Sequence, residues 1–169
     1  MATGNKPFPQ MHPVPGFKLG TASAGIKTPG RRDLVVMELQ PGATVAGVFT
    51  QNAFCAAPVV VAKQHLGVAT PRYLLTNTGN ANAGTGAQGM ADALASCAAL
   101  AELQSVSADQ VLPFSTGVIG EPLPIEKLLA ALPAAVAALD ENTWTVALSS
   151  LLILRCRRPT PCASLPPFA

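Results

Sequence analysis

From Arg72 to Gln104 the chain runs RYLLTN, then TGNANAGTGAQG, then a long segment at helical period. The first stretch, Arg72–Asn77, is a continuous apolar run of strand length, as expected of a strand buried on both faces. In the second, Asn and Gly accept left-handed backbone, so successive tight turns can form. In the third, Gln88–Gln104, the residues Met90, Leu94, Cys97, Ala101 and Gln104 fall near one stripe, with Leu100 and Leu103 beside it. Strand, loop and helix in direct succession commit the chain to a mixture of sheet and helix.

The remaining segments fit that frame. Residues 1–32 are rich in Pro, Gly and Lys and read as irregular. Asp33–Leu39 is a strand that Pro41 and Gly42 end in a turn. Thr44–Thr50 reads as its hairpin partner, and Pro58–Lys63 (PVVVAK) as a further buried strand. Val111–Phe114 is a short strand, and Ser115-Thr116-Gly117 a turn. Ile125–Leu132 is a helix opened by Pro124 near its first turn and interrupted by Pro133. Asp140 is placed to cap a last helix through Trp144 and Ala147. Strands and helices mix without strict βαβ alternation, so the expected class is α+β with a mostly buried sheet.

Composition narrows the function classes. Only 12% of residues are charged, about half the usual share, and Ala, Gly and Pro abound. That excludes a solvated disordered tail, a coiled coil and a nucleic-acid arm. A formal net charge of +2 is too small to imply an anionic partner. No apolar run reaches the ~18 residues of a membrane span. The first residues lack the apolar core of a signal peptide, so a cytoplasmic location and no membrane partner are expected. Cys55, Cys97, Cys156 and Cys162 form no CxxC pair and lie far from His12 and His65, so a zinc site is not expected; no metal and no cofactor are assigned to the chain. Cys97, in an apolar helical pattern, reads as a small buried hydrophobe.

Three motifs carry possible chemistry. Gly84-Thr85-Gly86-Ala87-Gln88-Gly89 matches G-x-G-x-x-G and by itself would make residues 77–89 a non-catalytic, nucleotide-type binding loop. Thr78 to Ala83 separate the strand from these glycines, and no acid follows the next strand, so a structural loop is the stronger reading. The asparagines of Asn77–Gly84 could line a site with their amides. At Ser115-Thr116-Gly117 a hydroxyl and an adjacent amide N–H could both point at one developing negative charge, which is what an oxyanion hole needs. Taken alone, that tripeptide is an ordinary turn. His12 and His65 have no Ser or Asp at useful spacing and read as surface or packing residues. No Ser-His-Asp or Cys-His set is visible, and no residue stands out as a nucleophile.

Four stretches in order are more specific. They are HPVPGF at 12–17 with AGIK at 24–27, GVFTQNAFCAAPV at 47–59, LLTNTGNANAGTG at 74–86 and STGVIGEPLP at 115–124. Together, from about His12 to Ala147, they resemble the N-terminal part of the ornithine acetyltransferase / glutamate N-acetyltransferase family of arginine biosynthesis. The resemblance implies an N-terminal-nucleophile-like layered α/β sandwich, here incomplete. It implies a precursor that cuts itself between Ala and Thr into α and β chains, assembled as an α2β2 heterotetramer. The new terminal Thr of the β chain is the nucleophile, activated by its own amine. It takes acetyl from N-acetylornithine and passes it to glutamate; some members also use acetyl-CoA. By the same resemblance Thr116 and Gly117 form the oxyanion hole.

After Ala147 the sequence departs from the family, which continues with a Thr-Thr-Asp-Thr segment, a substrate-binding Lys, the cleavage site and the β chain. All nine acids lie at or before Glu141, so residues 1–147 carry −1, whereas residues 148–169 carry +3, with two of the four cysteines and no Gly. A legal choice of codons for Leu152–Pro159, read from the third base of the first, gives Asp-Thr-Ala-Leu-Pro-Lys-Ala. The expectation is therefore an α-chain portion at 1–147 followed by an out-of-frame tail at 148–169. Such a chain needs its missing β chain and is expected to be inactive alone.

Overall fold

The computed structural model describes residues 10–151. Four strands form one sheet in the order β1 (Phe17–Ala22), β2 (Leu34–Leu39), β3 (Tyr73–Asn80), β4 (Val111–Val118). The first two pairings are antiparallel and β3 with β4 is parallel. A parallel neighbour needs a long return. Helix α2 (Gly86–Gln104) supplies it, followed by a short 3-10 turn at Ala108–Gln110. Helix α1 (Ala57–Val68) precedes β3, and α3 (Ile125–Ala137) and α4 (Trp144–Leu151) follow β4.

Alternation along the strands sorts side chains onto two faces. One face buries Leu34, Val36, Tyr73, Leu75 and Val111 against α1, α2 and α3, through Val61, Cys97, Leu100, Leu128, Leu132 and Ala135. The other buries Leu19 and Val35 under Ala147 of α4. There the Phe17 and Trp144 rings stack at 5.2 Å. The α+β class is as the sequence implies, with helices on both faces of the sheet.

Several local expectations are corrected. Pro58–Lys63 is part of α1, not a strand. Val61, Ala62 and His65 recur on its buried side at helical spacing, and Pro58 sits in the first turn, where no amide bond is lost. The run of three valines misleads because β propensity yields to tertiary burial. Thr44–Thr50 joins no ladder; the partner of β2 is β1, paired from Phe17↔Leu39 to Ala22↔Leu34, in a region read as irregular. Ser115-Thr116-Gly117 is not a turn but the continuation of β4. Pro133 does not stop α3, whose buried face of Leu128, Ala131, Leu132 and Ala135 carries the helix past the one amide bond forgone. The buried stripe of α2 is Gly89, Ala93, Ser96, Cys97, Leu100 and Ala101, while Leu94 and Leu103 stay nearly half exposed. Asp140 caps no helix; its backbone bridges Leu19 on the β1 edge.

Candidate active site

The C-terminal ends of the two parallel strands meet one loop cluster. β3 passes through Asn77, Thr78, Gly79 and Asn80 beside Ser115, Thr116, Gly117 and Val118 of β4, with a register irregularity at Asn80. Ser115 Oγ donates to Asn77 Oδ1 at 2.5 Å, and Asn77 Nδ2 donates to the Asn80 carbonyl at 2.9 Å. Asn80 Nδ2 reaches the carbonyls of Glu121 and Pro122 at 3.0 and 3.1 Å, which fixes the chain leaving β4.

Asn82 is fully buried and lies in left-handed backbone at φ 45°. Its N–H donates to Asn80 Oδ1 at 2.7 Å, its Nδ2 to the Gly89 carbonyl at 2.8 Å, and its Oδ1 accepts from Thr85 Oγ1 at 2.8 Å. Gly89 has no room for a side chain, since a Cβ there would overlap Thr85 Oγ1 and Asn82 Oδ1. The G-x-G-x-x-G motif is thus placed with its last glycine inside α2, packed on Asn82. The side chains of Asn77, Asn80 and Asn82 are spent on bonds within the protein.

Other segments close on the same place. Asp33, buried, accepts the N–H groups of Ala24 and Ile26 on its two carboxylate oxygens at 2.6 and 2.7 Å. This folds residues 24–27 against Gly79, where Ile26 and Lys27 make contact. Lys127 of α3 ties down the Gly25 carbonyl at 3.2 Å. The Ala57 N–H reaches the Asn82 carbonyl at the start of α1, and Phe54 lies against Gly84 beside Ile119. Segments 24–27, 54–57, 77–86 and 115–122, distant in sequence, therefore share one end of the sheet.

Thr116 is half-buried there and Gly117 is exposed. The backbone of Gly117, at φ 141°, presses on Gly79 and Asn80 so closely that no Cβ fits. This leaves a hydroxyl and a peptide unit at a strand end among small residues. Sequence reasoning singled out both, but missed Asp33 and Thr78, which only the strand register brings alongside.

The groups that titrate abnormally lie elsewhere. The Tyr73 phenol is pushed up by burial and then by Glu38, and the Ser107 hydroxyl beside Asp109 lowers that carboxyl. His65 is buried, its Nδ1–H donating to the Val111 carbonyl at 2.8 Å, so it is a packing residue. His12 is exposed. Burial pushes the Cys97 thiol up to about 12, making it an inert spacer. Thiol labelling of the native chain at pH 8, read by peptide mapping, should modify half-buried Cys55 and spare Cys97 until the chain unfolds. Because the folded thiol holds its proton above its ordinary value of 9, the Cys97 contribution to stability is intact below pH 9 and is lost as pH rises toward 12. Among the described residues no three His, Cys, Asp or Glu side chains group to hold a metal, and no helix is long and apolar enough to cross a membrane.

Comparison with solved structures assigns the architecture. Ornithine acetyltransferase from Mycobacterium tuberculosis, solved in complex with ornithine, superposes at TM-score 0.75 and 37% identity over 82% of this chain and 73% of that one. The arginine biosynthesis bifunctional protein ArgJ from Bacillus halodurans does so at TM-score 0.65 and 32% identity, over 76% and 72%. The chain is therefore a mixed α+β domain of the ornithine acetyltransferase fold.

A model of the ArgJ family matches residues 18–151, and the chain belongs to that family. It is 61% identical over 152 residues to the arginine biosynthesis bifunctional protein ArgJ of Pseudomonas fluorescens, covering 90% of this chain and 37% of that protein. The ArgJ protein of Pseudomonas syringae pv. tomato is 59% identical over the same shares. This chain thus spans little more than a third of the length of these curated relatives.

Proposed function

We propose that this chain is the N-terminal portion of an acetyltransferase that moves the acetyl group of N-acetylornithine to glutamate. It contributes the Thr116 hydroxyl and the Gly117 amide as oxyanion hole. The observation that carries this reading is the convergence of four motif-bearing segments on the strand ends where Thr116 and Gly117 stand. In the reaction a nucleophilic hydroxyl adds to the acetyl carbonyl, and the carbonyl electron pair moves onto oxygen as an oxyanion. Donors held in place at that oxygen stabilise it without having to reorganise. Collapse breaks the C–N bond and ornithine departs with the hydroxyl's proton on its amine; the glutamate amine then attacks the acetyl-enzyme, the ester C–O bond breaks, and N-acetylglutamate leaves while the amine's proton returns to the hydroxyl.

The nucleophile, in this reading, is the terminal Thr of a β chain made by self-cleavage, and the working enzyme is a cytoplasmic α2β2 assembly. Two relations support the division into chains. This chain covers 73% of the Mycobacterium tuberculosis chain but 37% of the Pseudomonas fluorescens protein, so the solved chain is about half the length of the curated one. Among the described residues, no Ser, Thr or Cys side chain is hydrogen-bonded to a His or Lys, and the one bonded to a carboxylate, Ser107 to Asp109, lies in an exposed turn away from this site.

The frame-shifted stretch belongs to the proposal as well. Its residues from 152 on lie outside the described part, and sequencing the DNA across the Trp144–Pro159 codons decides it. A shift of one base should restore Thr-Thr-Asp-Thr; a confirmed frame with nothing family-like downstream removes the idea. The catalytic part is tested by assaying ornithine release from N-acetylornithine in the presence of glutamate. The chain alone should give none. The chain mixed or co-expressed with the C-terminal portion of the Pseudomonas fluorescens relative should give turnover. Turnover by the chain alone, or none by the pair once assembly is confirmed, contradicts the proposal.

A further inference from the structure

Thr78 is 2% exposed, yet its hydroxyl has no hydrogen-bond partner. A hydroxyl sealed from water without a partner costs about 1–3 kcal/mol, so such a group calls for a physical reason. Its place is specific. In the parallel pairing of β3 with β4, Thr78 is directly opposite Thr116. Paired residues project to the same face of a sheet, so the two hydroxyls are neighbours on one face. The backbone holds Thr78 firmly there, its N–H donating to the Asp33 carbonyl at 2.8 Å. The register irregularity begins immediately after, between Gly79 and Asn80.

We infer that Thr78 is a positioning residue for the oxyanion hole: its hydroxyl donates to Thr116 Oγ1 when the site is loaded. The inference rests on the proposed function. A hydroxyl has one proton to give and two lone pairs. If Thr116 is to give its proton to the oxyanion, its oxygen is free to accept, and Thr78 is the donor across the strands. Cross-strand Thr–Thr hydrogen bonds are an ordinary way for paired strands to satisfy hydroxyls. Here the bond would fix the direction of the Thr116 proton and polarise it, strengthening the bond to the oxyanion. Thr78 touches no reacting atom in this scheme.

The test uses the chain assembled with the C-terminal portion of the Pseudomonas fluorescens relative. Thr78→Val keeps the shape and removes the hydroxyl, and Thr78→Ser keeps the hydroxyl. Thr78→Val should lower kcat roughly tenfold, the worth of one hydrogen bond, with KM unchanged. Thr78→Ser should recover most of the loss. In a Thr116→Ala background, Thr78→Val should cost nothing further, which a merely structural role would not produce. Full activity of Thr78→Val, or an equal loss in both backgrounds, overturns the inference while leaving the proposed function standing. If the unsubstituted assembly forms and is inactive, the proposed function itself fails, and this inference with it.

Discussion

Gly117→Ala should be among the most damaging single-methyl additions to the described residues. The new Cβ would fall on the Gly79 carbonyl carbon and the Asn80 amide nitrogen, both backbone atoms of the neighbouring strand. Flexible side chains can move aside, but paired backbone cannot without breaking the β3–β4 ladder. The glycine also sits at φ 141°, which L side chains rarely adopt. Steric overlap and backbone strain together should cost about 4 kcal/mol, at the severe end for point substitutions. In urea unfolding, the midpoint of Gly117→Ala should fall far below that of the unsubstituted chain. An unchanged midpoint would mean that the strand ends are not packed as described. Thr116→Ala, one residue away, has no such clash and should leave the midpoint nearly unchanged, which separates folding from chemistry at this site.

Asn82→Ala should be nearly as costly, for a different reason. Asn82 is fully enclosed, and its side chain satisfies the Gly89 carbonyl and the Thr85 hydroxyl at the start of α2. Alanine would leave both without that partner and open a small hole between the loop and the helix. It would also lose the tolerance of Asn for φ 45°. Two lost buried hydrogen bonds and the backbone term sum to about 3 kcal/mol. Hydrogen exchange should show the first turns of α2 opening more readily while β1 and β2 keep their protection. Uniform loss of protection would contradict a local role for the network. Asn82→Asp should be only partly destabilising, since it keeps the acceptor for Thr85 and loses the donor to Gly89.

These two residues show where sequence reading succeeds and where it stops. The apolar runs of β2 and β3 and the long period of α2 were legible because burial on a regular element leaves a periodic trace. β1 was not legible: FKLGTA carries few strand formers, and it is a strand because β2 offers it a partner. PVVVAK misled in the opposite direction, its valines suiting a strand while the buried positions of α1 follow helical spacing. At the site, Thr116 and Gly117 stood out from their tripeptide together with the family resemblance. Thr78 and Asp33 did not, because what makes them notable is strand register and an unmet hydroxyl. Neither leaves a mark in a single sequence. The Asn-rich loop reads in sequence as tight turns whose amides could also line a site; its side chains fasten the two strand ends to each other and to α2.

The role proposed for Thr116 is to stabilise an oxyanion. It is tested most directly by kcat and KM for ornithine release by the Thr116→Ala chain, assembled with the C-terminal portion of the Pseudomonas fluorescens relative. Removing one oxyanion-hole donor should lower kcat by about 10²–10³ and leave KM nearly unchanged, because the bond exists only once charge develops. A kcat within a factor of about two of the unsubstituted assembly would contradict the assignment.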